Sequence, residues 1–94
     1  MPTIKQAQDM GARHAREDIT RHAKFSQENY AQMKTDFALY GKRDFAMHTK
    51  RQVMASARCK VLALPTTQLV DAYAHAYAQA AVSCLEEMIF SRDN

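Results

Sequence analysis

His14, Asp18 and His22 follow one another at intervals of four residues. On a helix this spacing puts all three side chains on one face. Two imidazoles and a carboxylate are ligand types for Zn²⁺. The same spacing argues against one shared ion, because residues eight apart are separated by about 12 Å along a helix axis. A neighbouring pair could share a metal, but no Cys or Glu is placed in the sequence to complete the site. These residues are expected to form a solvated polar flank, with Arg13, Arg16 and Arg21 nearby to pair with Asp18. No metal and no other cofactor is expected.

Other catalytic patterns are also lacking. The chain has no GxSxG, no HExxH, no phosphate-binding glycine loop and no kinase signature. No Glu is followed three residues later by His, so the paired Glu-x-x-His of a helical di-iron site cannot be built. Cys59 and Cys84 stand alone, outside any CxxC pattern. They are expected to be free thiols packed as small hydrophobes. His48 and Cys59 lie on one face of a helix but about 16 Å apart by helical rise, too far to act as a pair. Enzyme activity is not expected.

The charge pattern is more informative. The net charge is +3, unevenly distributed. Residues 42–60 carry six basic side chains against the single acid Asp44. Residues 61–94 carry Arg92 against Asp71, Glu86, Glu87 and Asp93. Within the basic segment, Arg43, Lys50, Arg51 and Arg58 fall within about 100° on a helical wheel. Met47 and Met54 lie inside that arc. Arginine and methionine are enriched in interface cores, and methionine adapts to irregular surfaces. Arg43, Met47, Lys50, Arg51, Met54 and Arg58 are therefore the candidate partner-binding residues. Three uses compete for them. They could dock on a protein, they could neutralise nucleic-acid phosphates, or they could simply flank a core stripe of Ala46, Val53, Ala57, Val61 and Leu64. Gly41 could serve as the turn of a helix-turn-helix. The helix before it is too long for that motif, and the one after it begins with too few small polar base readers.

These residues need helices to position them, and the composition supplies helices. Only two Gly and two Pro occur, which argues against a turn-rich β fold. Val, Ile, Leu and Phe make up only about 17% of the chain, while alanine alone contributes 16 residues. A single domain over residues 1–94 with a thin, alanine-padded core follows. Thr3 and Gln6 form a capping-box pattern for the first helix. Gly41 ends the first helical region, Asp44 caps the next, and Pro65 stops that one near Leu64. Thr66 or Thr67 caps a last helix running to about Ser91. A seam of Ile19, Ala23, Ser26, Tyr30, Met33, Phe37 and Tyr40 repeats at alternating steps of four and three. An unbroken first helix would be about 57 Å long, far longer than its neighbours. Either it breaks near Phe25–Ser26, with Ser26 as an N-cap ahead of Glu28, or a second chain covers the excess. The break is favoured for the isolated chain.

The last helix reads as the hub, because its two seams cover about half the helical cylinder. One runs through Val70, Tyr73, Tyr77, Ala80 and Cys84, the other through Ala74, Ala78, Ala81, Leu85 and Met88. Ala7, Gly11 and Ala15 would let the first helix approach it closely. The expected fold is all-α, an antiparallel bundle of three to four helices with the alanine-rich last helix central. There is no apolar leader among the first thirty residues and no uncharged stretch of membrane-spanning length. A soluble cytoplasmic protein without membrane contact is expected. The expected function is non-catalytic binding to a larger protein or nucleoprotein complex, by occlusion or adaptation. Phage and mobile-element inhibitors of host machinery, anti-CRISPR proteins included, provide the class-level precedent. A DNA- or RNA-binding regulator using the basic helix is the alternative. A thin core and the long seam suggest a homodimer.

Overall fold

The computed structural model describes residues 2–56, 62 and 64–93. It is all-helical, with no strand among the described residues. Among the described residues three helices follow in order: α1 (Ile4–Phe25), α2 (Gln27–Ala55) and α3 (Thr67–Asp93).

Local chemistry sets most of the boundaries. The Gln6 backbone N–H donates to Thr3 Oγ1 at 3.1 Å, and the Thr3 N–H donates to Gln6 Oε1 at 2.9 Å. This is a complete capping box. Ser26 breaks the first helical region as expected. Its backbone is extended (φ −158°, ψ 138°), and its hydroxyl accepts from the N–H groups of Glu28 and Asn29. Thr66 caps α3 by accepting the Leu69 N–H at 3.1 Å.

Gly41 breaks the helix as expected, with φ 79° and ψ 167°. One cap and one boundary differ from expectation. Helical geometry resumes directly after Gly41, so Asp44 lies inside the second half of α2 and does not cap it. The second helix also ends at Ala55 rather than near Leu64. Ser56 turns extended, and both its N–H and its hydroxyl bond the Val53 carbonyl, at 3.1 and 2.7 Å. That local bonding ends α2 at Ala55. Ala57 and Val61 lie outside the described residues.

The order is up-down-up. Helix α2 runs antiparallel to α3, with Lys42 against Glu86 at one end and Lys50 against Asp71 at the other. Helix α1 runs parallel to α3, so consecutive helices are antiparallel. At about 40 Å by helical rise, α3 runs almost the full 43 Å length of the molecule. Both other helices pack on it. Tyr73, Ala74, Ala78, Ala81 and Leu85 of α3 are buried, as are Ala7, Ala15 and Ala23 of α1. One core cluster joins Ala7, Val53, Leu64, Leu69, Tyr73 and Ala74. A second joins Ala46, Ala78 and Val82 under Phe37 and Phe45. The alanines bring helix axes close together, the arrangement expected of a thin core.

Candidate interaction surface

Beyond Gly41, α2 crosses α3 with Ala46 on Ala78 and Val82. This contact fixes which way the rest of the segment faces. Lys42 Nζ pairs with Glu86 Oε2 at 2.9 Å, and Lys50 Nζ pairs with Asp71 Oδ1 at 2.8 Å. The hydrogen bond from Lys50, and then its charge, hold the Asp71 carboxyl below its ordinary range. The opposite charges of the second and last helices are thus matched across their packing line.

The structure therefore sorts the candidate residues. Lys50 is half-buried and turned inward to Asp71. Arg43 and Arg51 are exposed and have no carboxylate partner among the described residues. Met47 and Met54 are exposed at 39% and 38%. Arg43, Met47, Arg51 and Met54 recur at steps of four, four and three, so they form one outward stripe. Arg58 lies outside the described residues.

Next to this stripe runs a groove of about 580 Å³ between α2 and α3. Arg43 and Met47 form one wall, and Gln79 and Ser83 form the other. Ala46, Ala78 and Val82 make its floor. Sequence periodicity identified the stripe. It did not reveal the groove, which depends on the register between two helices that are distant in the chain.

A second cleft, of about 640 Å³, opens where α1 and the bent α2 diverge over Tyr77. The bend at Gly41 shapes it. Phe37 meets Phe45 edge-on with ring centroids 5.5 Å apart, and Tyr40 stacks on His48 at 6.1 Å. Residues eight apart would be about 12 Å apart along a straight helix. Several seam residues are used here within the chain. Ile19, Met33 and Tyr40 line this cleft, and Tyr30 lies under the Arg92 guanidinium at 4.3 Å. The Tyr30 hydroxyl is buried without a hydrogen-bond partner among the described residues.

His14 and Asp18 hold α1 against α3. His14 Nδ1 and the Tyr73 hydroxyl are hydrogen-bonded at 2.7 Å, and the Tyr77 hydroxyl donates to Asp18 Oδ2 at 2.7 Å. Arg21 pairs with the other oxygen of Asp18, also at 2.7 Å. The expected pairing of Asp18 with arginine is present, but the flank is only partly solvated, because two tyrosines of α3 reach it. His22 faces Asn29 across the corner at Ser26. Among the described residues no three His, Cys, Asp or Glu side chains are grouped to hold a metal ion. Cys84 is a buried free thiol beside the Thr20 hydroxyl, and Cys59 lies outside the described residues. No helix among the described residues is long and apolar enough to cross a membrane.

No protein-family model, curated protein or solved structure matches this chain.

Proposed function

We propose that this chain is a non-catalytic binding protein that docks on a larger protein or nucleoprotein complex through Arg43, Met47, Arg51 and Met54. It would act by occlusion or adaptation, in the manner of phage and mobile-element inhibitors such as anti-CRISPR proteins. One observation carries the reading. The acidic last helix takes up Lys42 and Lys50 and leaves an outward stripe in which arginine alternates with methionine. Such a stripe has the composition of an interface core. It is less suited to phosphate, which has little use for thioethers. With Arg43, Arg51 and Arg58 as phosphate contacts, a nucleic-acid complex would show a log–log salt slope of about −3. Arg58 stays in the proposed site by its place in the sequence.

A homodimer belongs to the same proposal. The break at Ser26 removes the mismatch in helix length as a ground for it. The thin core remains, and Leu39, 73% exposed, and Tyr40 beside Gly41 add apolar surface on the seam side. Light scattering at micromolar concentration tests it, and a compact monomer would end it.

The docking reading is tested by capture from a host lysate with and without nuclease. Recovery should survive nuclease. Met54→Asp should reduce it at least as much as Arg51→Ala, because a charge buried at an interface core costs more than a lost rim contact. If Met54→Asp folds normally and leaves recovery unchanged, the stripe is not the interface. Recovery that disappears with nuclease would favour the DNA- or RNA-binding alternative.

A further inference from the structure

The groove between α2 and α3 has a shape and a charge that select an occupant. Two ion pairs bracket it, Lys42–Glu86 at one end and Lys50–Asp71 at the other. Their lysines are eight residues apart, which is about 12 Å, or two helical turns, along α2. Within that span the buried lining residues are Ala46, Ala78 and Val82, none larger than valine, and the exposed His75 lies on the α3 side. A small-residue floor between two antiparallel helices lets a third helix lie close, with apolar anchors at helical spacing pointing down. Met47 on the rim can adjust to those anchors.

Charge decides the sign of the partner. Glu86 and Asp71 are already matched by lysine. Arg43, on the groove wall, and Arg51, just beyond it, are not matched among the described residues. The unsatisfied charge along this edge is therefore positive. We infer that the groove seats about two turns of an acidic amphipathic helix from a protein partner, with apolar anchors on Ala46, Ala78 and Val82 and carboxylates toward Arg43 and Arg51. This rests on the docking reading above and adds a second wall, on α3, to the interface.

The test uses the full chain and a synthetic peptide of about 18 residues, long enough to be helical. The peptide carries Leu on one face and Glu on the other, and a control replaces every Glu with Lys. The Glu peptide should bind, moving the backbone amide resonances of residues 46–50 and 78–83, and the Lys peptide should bind at least about tenfold more weakly. Ser83→Trp fills the groove from an exposed position and should weaken binding about tenfold or more, while Ser83→Ala should not. Gln79→Trp serves the same purpose if Ser83→Trp fails to fold by circular dichroism. The inference is overturned if the Glu peptide does not bind, if both peptides bind alike, if the plugged variant binds normally, or if the shifts map elsewhere. Displacement of the Glu peptide from the groove by a short DNA duplex would also overturn it in favour of phosphate. Met54 lies outside the groove lining, so the two proposals separate. Lysate capture lost with Met54→Asp but kept with Ser83→Trp would leave the docking reading standing and remove the groove.

Discussion

A Cβ placed on Gly11 would collide with the carbonyl oxygen of Tyr73, a backbone atom that cannot step aside. Glycine at this position sets the distance between α1 and α3. Gly11→Ala should therefore force the helices apart and loosen Ala7 and Ala15, which are fully buried on the same stripe. The intrinsic helix preference of alanine, about 1 kcal/mol over glycine, acts in the opposite direction. Overpacking costs about 1–3 kcal/mol and sometimes more, and should win here. Urea denaturation should show a net loss of stability. A variant as stable as the parent would mean the close approach is not as described.

Gly41 is a different kind of glycine. Nothing lies within 4 Å of its would-be Cβ, so space is not the constraint. Its φ of 79° with ψ near 167° is a backbone region that other residues avoid. Gly41→Ala should cost about 1–3 kcal/mol through the backbone alone. For a domain of this size that is roughly 4–8 °C in melting temperature for each kcal/mol. The change should also disturb the Phe37–Phe45 contact, which depends on the bend, and so shift those ring resonances.

The features that could be read from the sequence are those set by short-range chemistry. Thr3, Ser26 and Thr66 cap helices by bonding N–H groups two or three residues away, and their residue types announce it. The stripe Ala7, Gly11, Ala15 and the two seams of the last helix are periodic, so the closest helix pair was legible too. Ser56 was not, because a serine that caps a carbonyl has no distinctive sequence pattern and Pro65 offered a more obvious stop. His14 and Asp18 suggested a ligand ladder because their true partners, Tyr73 and Tyr77, are 59 residues away. The same limit applies to the candidate site. Segment charges showed that a basic and an acidic helix coexist, but only their register decides that Lys50 is paired while Arg51 has no carboxylate partner among the described residues.

The Tyr77–Asp18 hydrogen bond joins a neutral donor to a carboxylate, so it should count among the stronger single contacts between α1 and α3. A double-mutant cycle with Tyr77→Phe and Asp18→Ala should return a coupling of about 1.5–3 kcal/mol. Coupling near zero would mean that Arg21 alone satisfies the carboxylate. The cycle is needed because each residue has other contacts that a single substitution would also disturb.

Asp71 gives a pH signature. Its folded-state carboxyl lies below its ordinary value near 3.8, first through the Lys50 hydrogen bond and then through the Lys50 charge. A depressed acid contributes stability above the unfolded value and loses it as pH falls through the folded one. The parent should therefore exceed Asp71→Asn in stability at neutral pH by a small, constant margin. The margin should shrink once pH drops below about 3.8. It should also shrink in high salt, because the pair is exposed. A margin unchanged down to strong acid would show that the pair is not formed in solution.

The division of the basic segment into inward and outward cations gives a paired prediction. The Lys50 side chain is only 29% exposed and reaches across to Asp71, so its stem covers apolar surface as well as carrying charge. Lys50→Ala should lower stability by about 0.5–1 kcal/mol. Arg51, one residue further and facing solvent, should be replaceable by alanine within about 0.5 kcal/mol. Binding should show the reverse order. On the docking proposal, Arg51→Ala removes a cation with no carboxylate partner among the described residues and should weaken capture of the partner, while Lys50→Ala should act mainly through folding and recover when the temperature is lowered. Denaturation and capture measured on the same two variants provide the check. If both weaken binding equally at matched stability, the inward and outward lysine and arginine form one surface, and the pairing of Lys50 with Asp71 gives way when the partner arrives.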